Sequence, residues 1–211
     1  MLILSCNSPV PINAGGKPGV RKIVLASSSP YRRELLIRIG IEFKTASPQI
    51  DESPLPHESP RQLAGRLAQM KAQSVADLHP DTIIIGSDQV AVIGVEKVGK
   101  PGNHARAVEQ LKRASGKVME FFTGICVLNT TSGQIQQDVV PFTVQFRRLD
   151  EGTIKNYLLQ EQPYNCAGSF KSEGLGIALL ERMSGNDPTA LIGLPLIRLI
   201  RMLEQEGVTV I

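Results

Sequence analysis

A chain of 211 residues with 42% hydrophobic and 20% charged residues is ordinary globular material, enough at about 150 residues per domain for one or two domains with a core that needs no disulfide or metal staple. No stretch approaches the ~20 consecutive apolar residues of a membrane-spanning helix, which excludes a transmembrane helix. Lys plus Arg is 23 against 20 for Asp plus Glu, a net +3 too small to mark a nucleic-acid partner, and with 4% aromatics and no Trp the chain lacks the stacking platforms of a single-strand binder.

The first twenty residues stand apart. Met1–Leu4 is too short and lacks the basic start of a signal peptide, and the Pro- and Gly-rich run from Ser8 to Gly19 reads as a flexible extension. An extra edge strand at Leu2–Ser5 is the alternative. Residues 21–211 then read as one domain. Ile23–Ala26 is a short buried strand, followed by a helix over Tyr31–Ile39 that stops at Gly40. Ser59-Pro60-Arg61-Gln62 is a capping box with proline at the first helical position, opening a helix to about Leu78 with Leu63, Leu67, Met70, Ser74 and Leu78 along its apolar stripe. Thr82–Ile85 is a second buried strand that continues through Gly86-Ser87-Asp88 to Ile93, with a turn at Gly94–Lys97 and a return at Val98–Lys100. Asn103 caps a helix to Ala114. Two long strands, Val118–Leu128 and Gln134–Leu149, follow around a Thr130–Gly133 turn. Asp150 caps a helix to about Gln160, Leu175–Glu181 reads as a strand, and Leu196–Glu206 closes the chain as a helix. Strands and helices alternate and are then interrupted by a hairpin, which predicts an α/β protein with a mixed sheet.

Cys6, Cys126 and Cys166 form no CxxC pair, and His57, His79 and His104 have no zinc spacing. A reduced, cytoplasmic protein is expected, and any metal would be a hard ion on carboxylates and phosphate, such as Mg²⁺ or Mn²⁺. The chemistry concentrates in a few places. Ala26-Ser27-Ser28-Ser29-Pro30-Tyr31-Arg32-Arg33 is a strand, a small-residue loop and a helix start, whose free N–H groups and dipole attract anions. Cations in that first turn oppose the dipole unless an anion docks there. Lys71 falls on or beside the buried stripe of its helix, where periodicity favours snorkelling to the surface over service in a site. Lys100 leaves a strand in extended geometry before Pro101. Asp88 follows an apolar run, a costly place for a carboxylate without a partner. Asp51-Glu52 is a second acidic pair able to hold a cation, and Gly168–Gly174 is a glycine-bounded polar loop carrying Lys171 and Glu173. Cations from separate segments, an anion-shaped helix start and metal-binding acids together point to a polyphosphate substrate, held by a focused local field.

These motifs resemble those of the Maf family of nucleoside triphosphate pyrophosphatases. The matching segments are Leu25–Leu36, Gly86-Ser-Asp-Gln-Val90, Gly99-Lys-Pro101, Arg113-Ala-Ser-Gly116, Ala167–Gly174 and Gly193-Leu-Pro-Leu196, covering the chain from Lys22 onward. Gly-Ser-Asp-Gln-Val with Phe-Lys-Ser-Glu-Gly resembles the YceF-like branch, which acts on 7-methyl-GTP; the branch acting on dTTP and UTP generally has Asp-Thr where this chain has Asp88-Gln89. The resemblance implies an elongated mixed sheet flanked by helices, with two lobes around a cleft, often as a homodimer. It implies Asp88 as proton acceptor; Tyr31, Gln89 and Glu173 as specificity positions, with Tyr31 where this branch often has Trp; Ser27, Ser29, Arg32, Lys71 and Lys100 as phosphate ligands; and Glu52 with Asp88 near a divalent metal. The partner implied is a small nucleoside triphosphate, with neither nucleic acid nor membrane. The alternatives are the same chemistry on dTTP, UTP or another modified nucleotide, or a non-catalytic division-regulating or nucleic-acid-binding protein.

Overall fold

A computed structural model describes residues 21–211; the N-terminal extension and the edge strand considered at Leu2–Ser5 lie outside the described residues. Strand β1 (Lys22–Ala26) leads through the serine loop into α1 (Pro30–Arg38), then β2 (Lys44–Ala46) and α2 (Pro60–Gln73). Strands β3 (Thr82–Ile93) and β4 (Glu96–Val98) are followed by α3 (His104–Ala114), and the long hairpin β5 (Val118–Asn129) and β6 (Ile135–Phe146) by α4 (Glu151–Glu161). The chain ends with β7 (Leu180–Gly185), α5 (Pro188–Ile192) and α6 (Leu196–Gln205). Among the described residues, seven strands form one mixed sheet in the order β2-β1-β3-β5-β6-β7, with β4 on the free edge of the far half of β3. Of the described pairings, those of β1 are parallel and the rest antiparallel.

The core divides along the long strands. At one end, Leu25, Ile83, Ile85 and Ile125 pack against Leu35 and Leu36 of α1 and Leu199, Met202 and Leu203 of α6. The opposite face there, with Val24, Ala26, Ile84 and Cys126, is covered by Ala68 and Ala72 of α2. At the other end Ala91, Phe121, Phe142 and Phe146 pack with Leu111 of α3 and Leu158 of α4. A cleft opens between the two ends, where β1 has stopped and β4 has not yet begun to pair with β3.

Helix α2 sits unusually close to the sheet. Both halves of the predicted capping box form: the Ser59 side chain accepts from Gln62 N, and Ser59 N donates to Gln62 Oε1 at 3.0 Å. Its buried residues are Leu63, Ala64, Gly65, Leu67, Ala68, Lys71 and Ala72, of which Ala64, Gly65, Ala68 and Ala72 are small. A Cβ at Gly86 of β3 would collide with Ala68 O, and one at Gly124 of β5 with Ala64 O. Glycine is required at both positions for the helix backbone to reach the strands.

Several sequence expectations need correction. The α-helix begun at Ser59 ends at Gln73 rather than Leu78, because Val75 leaves helical geometry (φ −113°) and only a 3₁₀ turn over Ala76–Leu78 follows. Ser74 and Leu78 are therefore exposed, Leu78 by 79%. Leu175–Leu179 is a 3₁₀ turn, and the strand begins at Leu180. The short elements β2 and α5 carry no periodic signal and were not anticipated. Among the described residues no helix is long and apolar enough to cross a membrane.

The loop before α2 is held down by a bidentate ion pair. Arg66 Nε and Nη2 lie 2.6 and 2.8 Å from the two Glu58 oxygens, and Leu55 N donates to Glu58 Oε2 at 2.9 Å. The Arg66 bond holds the Glu58 carboxyl down at about 2 from its ordinary 4.5. A depressed carboxyl pKa stabilises the fold fully above pH 4.5 and loses that contribution as pH falls toward 2. Thermal melts across this window should show a steeper acid decline for the wild type than for Glu58→Gln, the two profiles converging at the acid end.

Candidate active site

The cleft encloses about 660 Å³ and is floored by the middle of β3. Asp88 lies mid-strand opposite Gly124, since β3 runs unbroken through both halves of the sheet. Strand alternation turns Asp88 to the α2 face and Ser87 and Gln89 to the other. On the α2 face, Lys71 Nζ lies 2.5 Å from Asp88 Oδ1 and 2.7 Å from Glu52 Oε1. The Lys71 side chain is only 9% exposed, so the snorkelling expected from periodicity is wrong: the ammonium stays inside, compensated by two carboxylates. Asp51, by contrast, turns back to accept from Ser53 N at 2.9 Å and does not line the cleft.

The serine loop forms one wall. Ser29 caps α1 by accepting from Arg32 N at 3.4 Å, and the buried Ser27 hydroxyl accepts from Ser29 N at 3.1 Å and Arg32 Nη1 at 3.4 Å. Arg32 does not extend into solvent; its Nε donates to Gly193 O at 2.7 Å. Burial pulls its guanidinium below the usual value, against the opposing attraction of Asp88 and Glu52. Successive helical residues are about 100° apart, so Tyr31 and Arg32 face different parts of the cleft. Tyr31 Oη meets Cys166 Sγ at 3.4 Å, and that bond, with burial and the neighbouring Glu173 and Glu161, pushes the phenol up. Burial raises the Cys166 thiol as well, against the opposing effect of the Tyr31 bond.

The third wall is the short helix α5 with Gly193. Its cap, Asp187, is 3% exposed and accepts from Thr189 N at 2.9 Å and Thr189 Oγ1 at 2.6 Å, while its other oxygen accepts from Ile197 N at the start of α6. Two helix N-termini thus share one buried carboxylate. The carbonyls this arrangement presents are used at once. Gln89 Nε2 lies 2.9 Å from Ala190 O, 3.0 Å from Leu191 O and 3.1 Å from Thr123 Oγ1, while the Ser87 hydroxyl lies 2.9 Å from Gly193 O. With its N–H groups committed, Gln89 has only its carbonyl oxygen left for a ligand.

Ser27, Ser29, Tyr31, Arg32, Glu52, Lys71, Asp88, Gln89, Lys100 and Glu173 all line this one cleft, with Lys100 and Glu173 exposed at its rim. None of the three histidines does. Lys97, Asn165 and Cys166 line it too and were not singled out; an exposed lysine and a lone thiol in a loop carry no pattern that would have marked them. A shallower hollow of about 540 Å³, over the outer side of α2 and β6, contains none of these residues.

Among the described residues no group of three or more His, Cys, Asp or Glu could hold a metal ion unaided. Asp88 and Glu52 are all-oxygen donors converging on one cation, Lys71. That set suits a hard divalent ion taking one or two carboxylates and completing its shell with phosphate oxygens and water.

A family model described as Maf-like protein matches residues 22–206. The chain belongs to the Maf family. A relative of this Maf-family chain from Nitrosococcus oceani, named 7-methyl-GTP pyrophosphatase, is 55% identical over 194 residues, covering 92% of this chain and 98% of that protein. The solved Staphylococcus aureus Ham1 protein superposes with a TM-score of 0.51 at 12% identity, covering 88% of this chain and 100% of that one. At that identity the likeness is one of fold alone, and it agrees with the mixed α/β architecture expected for a Maf-family chain.

Proposed function

We propose that the chain is a nucleoside triphosphate pyrophosphatase that hydrolyses the α–β phosphoanhydride of 7-methyl-GTP to 7-methyl-GMP and diphosphate. The observation that carries this reading is the polarity of the cleft. Ser27, Arg32, Lys71 and Lys100 bring hydroxyl and cationic groups into the same cleft as the Tyr31 ring and the acceptor groups of Gln89 and Glu173. The 55% identity to a protein named for this activity supports the same substrate.

The triphosphate is bound by the serine loop, Arg32, Lys71 and, from the exposed rim, Lys100; the buried Lys71 charge acts most strongly because it is desolvated. Asp88 accepts the proton of the water that attacks the α-phosphorus, and diphosphate leaves. Lys71, within hydrogen-bonding distance of Asp88, keeps the carboxylate oriented. Asp88 and Glu52 would hold Mg²⁺ or Mn²⁺, which neutralises phosphate charge when bound. N7-methylation makes the guanine ring cationic, so the Tyr31 face attracts it by about 0.5–2 kcal/mol. Glu173 and the Gln89 carbonyl accept from the base's N–H groups. The substrate is a small molecule; neither nucleic acid nor membrane is needed to complete the site.

Diphosphate release measured side by side on 7-methyl-GTP, GTP, dTTP and UTP tests the reading. The kcat/KM for 7-methyl-GTP is expected to exceed that for GTP by about tenfold or more, the scale of a cation–π contact joined to a carboxylate. Equal or better kcat/KM on dTTP or UTP overturns the base assignment. Absence of diphosphate from every nucleotide overturns the hydrolase reading itself.

A further inference from the structure

Glu173 shares its loop with a lysine two residues away, and an unrestrained Lys171 would be a ready partner for it. In the structure the two are kept apart. Lys171 is absent from the cleft lining, which includes its neighbours Phe170, Ser172 and Glu173. Its Nζ reaches away to Glu161 Oε1 at 2.8 Å, at the last residue of α4. The Glu161 side chain is only 10% exposed, and its second oxygen accepts from Leu175 N at 2.7 Å. One carboxylate therefore fastens the loop on both sides of Glu173. The loop passes so close that a Cβ at Gly174 would run into that carboxylate. Lys171 N donates to Tyr157 Oη at 3.1 Å and Lys171 O accepts from Gly176 N at 3.1 Å, so the backbone at this point is held as well.

Glu173, meanwhile, has no ion-pair partner among the described residues and accepts only from the Ser172 hydroxyl, at 3.2 Å. The hydrogen bond to Glu161 raises the Lys171 ammonium despite its desolvation, and Glu173 adds to that rise, so the lysine is within electrostatic reach of both acids.

We infer that Glu161 is a specificity-positioning residue: by capturing the Lys171 ammonium it leaves the Glu173 carboxylate uncompensated, and so selective for a cationic base. This rests on the reading of the substrate as 7-methyl-GTP. Without Glu161, Lys171 would swing to Glu173 and cancel the charge that separates a methylated guanine from an unmethylated one. The effect falls on discrimination between bases, since neither Glu161 nor Lys171 lines the cleft that receives the triphosphate and holds Asp88.

The test is the ratio of kcat/KM for 7-methyl-GTP to that for GTP in three proteins. Glu161→Gln keeps an oxygen to accept from Leu175 N but loses the charge that holds Lys171. Its ratio is expected to fall by about twofold to fivefold, the scale of one partly exposed charge pair, with kcat on GTP little changed. Adding Lys171→Met removes the stray cation, and this double variant is expected to recover the wild-type ratio. A merely loosened loop would predict no recovery, so a double variant as unselective as Glu161→Gln overturns the inference. An unchanged ratio in Glu161→Gln, against a selective wild type, also overturns it while sparing the substrate assignment. A wild type that does not discriminate overturns both.

Discussion

Asp88→Asn is expected to lower kcat for diphosphate release by about 10²–10⁴, the contribution of a positioned general base, while the protein stays folded. Asparagine preserves the shape of the side chain but cannot take the proton from attacking water. The fold survives because of the shared ion pair. An ammonium buried with no carboxylate at all would cost about 3–5 kcal/mol, but Lys71 keeps Glu52 at 2.7 Å when Asp88 is neutralised. Steady-state turnover alongside thermal melting separates the two effects. Activity within tenfold of wild type would move the proton acceptor to another residue.

The second large effect is on stability. Gly86→Ala places a methyl group against Ala68 O, with Ala72 N at 2.9 Å, and both are backbone atoms of α2 that cannot rotate aside. The helix must lift from the sheet, at a cost of about 3 kcal/mol or more, which lowers Tm by roughly 6–12 °C for a chain of this size. Gly99→Ala serves as the control, since a Cβ there meets nothing within 4 Å. The two glycines differ in what they face, so similar Tm values for both variants would rule out close helix–sheet contact as the reason for Gly86. Activity should fall with stability, because Lys71 rides on α2 three residues beyond Ala68 and Asp88 lies two residues beyond Gly86 on the same face of β3.

Local chemistry was legible where a short-range rule acts alone. The Ser59–Gln62 box, the Asn103 and Asp150 caps and the Ser27–Arg33 helix start form much as read, because each depends on hydrogen bonds within three residues. The far end of α2 was not: its apolar spacing runs on through Leu78, but the backbone leaves helical geometry at Val75 and Leu78 turns to solvent, so periodicity alone does not decide where the burial stops. Lys71 was misread for a related reason. Its burial depends on Asp88, seventeen positions later, and on Glu52, which no helical period reveals. The 3₁₀ turn at Leu175–Leu179 looked like a strand because short apolar runs do not distinguish the two. Helix α5 is five residues long, below the length at which periodicity has meaning, yet its carbonyls set the orientation of Gln89. The family resemblance supplied what spacing could not, since residues from the serine loop, α2, β3 and the Glu173 loop meet only in three dimensions.

Strands β3 and β5 pair without a break from Ile83–Asn129 to Val92–Glu120, passing directly beneath Asp88. A jaw opens on a flexible joint, and here the place where a joint would lie is spanned by a continuous ladder of backbone hydrogen bonds. The floor therefore behaves as a stiff beam that fixes the distance between the two halves of the molecule before any nucleotide arrives.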